Sequence, residues 1–61
     1  MRLVLEINLG NAAMQTGRDV ADALGQVVHR VEDNLLPLRS GDGGTIHDAN
    51  GNATGTWTVE P

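Results

Sequence analysis

Asn50-Gly51 constrains the fold of this chain more than any other pair of residues. A two-residue hairpin loop of type I′ needs positive φ at both central positions, which Asn tolerates and Gly adopts freely. With these two residues as the turn, Ala49 faces Asn52, Ile46 faces Gly55 and Gly44 faces Trp57. Ile46, Trp57 and Val59 then share one sheet face, and Thr45, His47, Thr54, Thr56 and Thr58 share the other. A slip of one residue would mix the two sets, so turn chemistry and side-chain alternation specify the same register.

The rest of the chain supplies what this hairpin packs against. Over residues 2–9, Leu3, Leu5, Ile7 and Leu9 alternate with Arg2, Val4, Glu6 and Asn8, the pattern of a half-buried strand. Thr16 followed by Asp19 resembles a capping box, with Asp in place of the commoner Glu. Beyond it Val20, Leu24, Val27, Val31 and Leu35 recur at helical spacing, and with Ala21, Ala23 and Val28 they cover a sector of about 160°. Arg18, Asp22, His29 and Asp33 occupy the opposite side. Pro37 ends the helix at or before Leu36, because its ring disfavours helical geometry in the preceding residue.

The element order is therefore strand, helix, strand, strand. A right-handed crossover returns the second strand parallel to the first, and the third slots between them, antiparallel to both. The expectation is one α+β domain over residues 1–61: a single helix on a three-stranded sheet, strand order 2-3-1, half of a ferredoxin-like unit. Its expected core is Leu3, Leu5, Ile7, Val20, Leu24, Val27, Val31, Ile46, Trp57 and Val59.

Sixty-one residues bury only roughly 60% of the surface the unfolded chain exposes. Cysteine is absent, which removes disulfides and thiolate metal sites as supplements. Association with another copy is what remains, and a twofold dimer is the commonest form. Ala21, Gly25 and Val28 line one helix flank where small residues permit close approach, which makes them the candidate interface; an exposed strand edge is the competing geometry. Eight acids against four arginines give a net charge of −4, which argues against nucleic acid and anionic membranes as partners. With no apolar run of spanning length and no basic, cleavable leader, the expectation is a cytoplasmic protein.

Each candidate for chemistry has a plainer reading beside it. Asp48, Asn50 and Asn52 are spaced like the first ligands of a calcium loop, but Ala53 and Val59 stand where that loop needs a glycine and a bidentate carboxylate. Gly41-Asp42-Gly43-Gly44 resembles a phosphate-cradling loop, yet it opens a strand instead of a helix and carries an acid. His29 and His47 have no nucleophile or second histidine at motif spacing. No catalytic residue, metal ligand or cofactor site is assigned. The row Thr45, His47, Thr54, Thr56 and Thr58, with Arg39 nearby, is a candidate ligand face, and a solvated sheet face is the alternative.

Asn11-Ala12-Ala13-Met14 resembles an Asn-Ala-Ala-hydrophobic signature, and Asp48 to Trp57 resembles the Asp-x-Asn-Gly-Asn-x-x-Gly-x-aromatic ending that accompanies it. Both occur in a group of small, acidic, uncharacterised proteins of bacteria and their phages. The resemblance implies a stand-alone domain from a mobile element and no settled activity. Two functions follow as expectations. One is a non-enzymatic, self-associating interaction module, phage- or prophage-encoded, that modulates a host protein. The other is an oligomeric small-molecule or nucleotide-binding protein with its pocket between copies.

Overall fold

The helix begins where the capping chemistry places it. In a computed structural model describing residues 1–34 and 36–61, α1 spans Gly17–Glu32, with Thr16 as its N-cap. Thr16 Oγ1 accepts from the Asp19 N–H at 3.1 Å, and Asp19 Oδ2 accepts from the Thr16 and Gln15 N–H groups at 3.2 and 3.0 Å. Three N–H groups at the helix entrance are thereby satisfied, and the carboxylate sits at the positive end of the helix dipole. The helix ends before Pro37, and Leu35 of the expected apolar stripe lies outside the described residues.

Strands β1 (Arg2–Ile7), β2 (Gly43–His47) and β3 (Ala53–Glu60) form one antiparallel sheet in the order β1-β3-β2. With the helix between β1 and β2, this is the expected β-α-β-β, α+β arrangement. β1 pairs with β3 without interruption from Arg2↔Glu60 to Ile7↔Gly55. Gly44↔Trp57 and Ile46↔Gly55 pair in the register that the face pattern demands.

Near the turn the register changes. His47 pairs with Ala53, so a bulge intervenes between Ile46 and His47, and Ala49 does not face Asn52. The turn is not type I′: Gly51 has φ +84°, but among the described residues none other than glycine has positive φ. Gly51 N–H donates to the Asp48 carbonyl at 3.0 Å, and Asp48 N–H donates to the Asn52 carbonyl at 2.9 Å. These bonds close a three-residue loop with its glycine in the left-handed region, the alternative that pairs a tight turn with a bulge. The cause is Asp48. Its Oδ1 accepts from the N–H groups of both Asn50 and Asn52, each at 2.9 Å, and holds the loop open by one residue.

The core lies between the sheet and α1 and consists of Met14, Ala23, Val27, Ile46, Trp57 and Val59, with Ile7, Val20, Val31 and Leu38 packed at its margin. Three expected members are absent from it. Leu3, Leu5 and Leu24 remain 44%, 37% and 41% exposed. A helix is about 10 Å across and neighbouring strands lie about 4.8 Å apart, so one helix covers little more than two strands. Of the strands, α1 approaches β2 most closely, and the helix-side face of β1 is left only partly covered, at Leu3 and Leu5.

Candidate functional site

Besides the core contacts of Ala23 and Val27, one polar side chain ties α1 to the sheet. Gln26 donates its amide hydrogen to the His47 carbonyl and accepts the His47 N–H at 3.2 Å. A primary amide carries the same donor and acceptor as a peptide group, so Gln26 fills the place of a neighbouring strand at the outer edge of β2. At about 100° per residue, Val28 projects about 200° around the helix from Gln26 and faces the β1 side.

There the uncovered side chains gather. Leu3, Val27, Val28, Val31 and Glu32 line an open groove of about 370 Å³ between β1 and α1. Val28 is 60% exposed, and Leu24 and Leu5 extend the apolar area. The candidate interface residues Ala21, Gly25 and Val28 lie along this side of the helix. Ala21 is exposed, and a side chain at Gly25 would meet nothing within 4 Å. The sequence pattern identifies the flank but assigns Leu3, Leu5 and Leu24 to the core. The signal it lacks is Gln26, which draws the helix toward β2.

A second region joins the Asn11–Met14 segment to the hairpin. Asn11 Nδ2 donates to Asp48 Oδ2 at 3.2 Å, and Met14 is buried in the core. A small cavity of about 70 Å³ beside them is bounded by Met14, Asp19, Ala23, Gln26, His47 and Asp48. The Asp48 carboxyl is held below its ordinary value of 3.8, first by the Asn52 N–H and further by Asn11 and the Asn50 N–H, against the opposing effect of burial. Both carboxylate oxygens already accept hydrogen bonds within the chain, so the Asp-x-Asn-Gly-Asn spacing serves the turn. Among the described residues no group of three or more His, Asp or Glu side chains is placed to hold a metal ion.

The candidate ligand face is only partly assembled. Thr45, Thr56 and Thr58 are exposed on the sheet face away from α1, and His47 is half-buried at the edge. Thr54 does not join them, a correction that follows from the bulge. It is buried, and its hydroxyl donates to the Asn8 carbonyl at 2.9 Å, tying β3 to the end of β1. Arg39 is exposed in the connector, where its N–H donates to Asp42 Oδ2 at 2.9 Å. Neither groove described above is lined by Arg39 or by Thr45, Thr56 or Thr58.

Trp57 is buried at the centre of the sheet, and its Nε1 has no hydrogen-bond partner among the described residues. The ring fits because Gly44 lies opposite: a Cβ there would approach Nε1 to 2.8 Å. Among the described residues no helix is long and apolar enough to cross a membrane. Comparison with protein-family models, with curated proteins and with solved structures finds no match to this chain.

Proposed function

We propose that this chain is a non-enzymatic protein-interaction module whose working surface is the apolar face between β1 and α1. One observation carries the reading. Among the described residues seven large apolar side chains are exposed against six buried apolar ones, and Leu3, Leu5, Leu24 and Val28 share one side of the molecule. Covering a leucine or valine side chain contributes about 1.5–3 kcal/mol, so this side holds a considerable unused driving force for association. Continuous apolar surface of that kind marks interaction sites on small soluble domains. The acidic balance of the chain, −4 overall, favours a protein partner over nucleic acid or anionic lipid.

The resemblance carried by Asn11 to Met14 and Asp48 to Trp57 supports a phage or prophage setting. The small-molecule alternative finds less support, because Thr54 is buried and neither cavity described above is lined by Arg39, Thr45, Thr56 or Thr58.

A photo-crosslinking residue at Val28, compared with the same residue at Thr56 on the opposite sheet face, tests the reading in cells. Position 28 is expected to give a discrete protein adduct that position 56 does not. Indistinguishable adduct patterns from the two positions would remove the apolar face as the working surface.

A further inference from the structure

We propose that the occupant of this face is a second copy of the chain, docked by antiparallel pairing of β1 with itself about Val4. The proposal rests on the interaction surface argued above and names its partner and register.

The two edges of the sheet are treated differently. At β2, the outward N–H and C=O of His47 are taken by Gln26. β1 runs for six residues with regular pairing on its inner side and has no proline, lysine or bulge to discourage another strand. Its outer side has no partner strand among the described residues.

Hydrogen-bond phase determines which groups that edge offers. Asn8 N–H donates inward to the Thr54 carbonyl at 2.7 Å. Successive residues of a strand direct their N–H and C=O groups to opposite edges, so Leu3, Leu5 and Ile7 present theirs outward. A twofold antiparallel pair must therefore match odd-numbered residues with odd-numbered ones. Centred on Val4, it sets Leu3 opposite the partner's Leu5, and each such pair exchanges both N–H···O bonds.

Charge selects this register among its neighbours. Centred on Val4, Arg2 lies opposite the partner's Glu6, twice in the dimer, at close non-hydrogen-bonded positions. Centring on Leu5 instead sets Val4 opposite the partner's Glu6, and centring on Glu6 sets two carboxylates face to face. Glu6 has no ion-pair partner within the chain among the described residues, whereas Arg2 already reaches Glu60 at 3.1 Å and has further donors. Arg2-Leu3-Val4-Leu5-Glu6 is thus self-complementary when reversed, in charge and in apolar face.

The same twofold keeps both helices on one face of a continuous six-stranded sheet. Leu3 and Leu5 of the two copies come together beneath the helix flanks that carry Val28 and Leu24. The strand edge and the Ala21, Gly25, Val28 flank, competing geometries in the sequence, therefore lie on the same side of the molecule.

Two single charge reversals test the register. Arg2→Glu sets a carboxylate opposite the partner's Glu6, and Glu6→Arg sets a guanidinium opposite the partner's Arg2. Each homodimer should weaken on the order of tenfold, since two cross-strand pairs are reversed. Mixed one to one, the variants bring each introduced charge opposite its complement and should form a heterodimer in preference to either homodimer. Sedimentation equilibrium gives the affinities, and native mass spectrometry counts the mixed species.

Amide hydrogen exchange adds a readout that does not depend on charge. Leu3 and Leu5 should gain protection with concentration, and Val4 should not. A wild-type chain that stays monomeric at roughly millimolar concentration, or a mixture with no preference for the heterodimer, overturns the proposal. Adducts between position 28 and a different protein, from a monomeric chain, would overturn the second copy while leaving the interaction surface standing. Loss of that adduct's site selectivity would remove both.

Discussion

A methyl group added at Gly55 and the same group added at Gly25 should change stability in opposite directions. At Gly55 a Cβ would run into the Glu6 carbonyl oxygen and stand 2.9 Å from Ile7 Cα and 3.0 Å from the Glu6 carbonyl carbon. All three are backbone atoms, so no rotamer change relieves the contact. Carbon contacts relax at about 3.5–4.0 Å, so β1 must retreat from β3 by on the order of 1 Å. A retreat of that size removes N–H···O bonds on either side of the contact, each worth about 1 kcal/mol net. Adding overpacking strain of about 1–3 kcal/mol to two such bonds and subtracting about 0.4–1 kcal/mol for the stiffer unfolded chain leaves a loss of about 2–4.5 kcal/mol. At Gly25, by contrast, a Cβ meets nothing within 4 Å, and the helix gains about 0.5–1 kcal/mol. In a domain of this size 1 kcal/mol shifts Tm by about 4–8 °C. Gly55→Ala should therefore melt about 10 °C or more below wild type and Gly25→Ala a few degrees above it. Trp57 fluorescence and far-ultraviolet circular dichroism, followed through thermal and urea unfolding, measure both. A Gly55→Ala protein as stable as wild type would mean that β1 does not press on β3 at Gly55, and the β1–β3 register would fall with it.

Other perturbations address the loop and the core. Gly51→Val forces a β-branched residue to φ +84° and should cost on the order of 1–3 kcal/mol, read as a lower urea midpoint with unchanged slope. Trp57→Ala should cost about 3 kcal/mol or more, enough to unfold so small a domain, and the wild-type indole should emit at the short wavelengths of a buried ring. Asp48 and Asp19 both have carboxyl pKa values below the ordinary 3.8, Asp48 chiefly through the Asn52 N–H and Asp19 through the Gln15 and Thr16 N–H groups. A depressed folded-state pKa adds stability that is fully present above the unfolded value and is lost as pH falls through the folded one. Tm should therefore hold near neutrality and drop below about pH 4, and Asp48→Asn should flatten part of that drop.

Much of the architecture can be read from local chemistry. Thr16 and Asp19 announce the helix start because a capping box is a short-range motif whose partners are three residues apart. Strand order follows from the right-handed crossover and the hairpin, and the pairing of Ile46 with Gly55 from alternation, which fixes a face. What alternation cannot give is how far one helix reaches across that face. Leu3, Leu5 and Leu24 carry the pattern of buried residues, yet their burial depends on where the helix sits, and the contact between Gln26 and His47 that holds it beside β2 joins residues 21 positions apart in the chain. Met14 departs in the other direction. It belongs to an aperiodic stretch between β1 and α1, so nothing in its neighbours marks it as core. The turn departs from type I′ because Asn50-Gly51 does not act alone: the carboxylate two residues before Asn50 decides its geometry by competing for the Asn50 and Asn52 N–H groups. The displaced register then removes Thr54 from the exposed row.

Gln26 has a consequence for how many chains can join. A sheet with two free edges has a strand-addition valence of two, and units of valence two build open-ended fibres. Here the amide of Gln26 takes the outward N–H and C=O of His47 from within the same chain, so β2 offers a shorter run of free backbone groups than β1. Growth through β1 therefore leaves, at each end of the assembly, an edge that is partly blocked. The side chain that ties the helix to β2 thus also limits extension of the sheet at that edge. Gln26→Ala should lift that limit, and the species to look for is the fibre, which grows with concentration and binds thioflavin T.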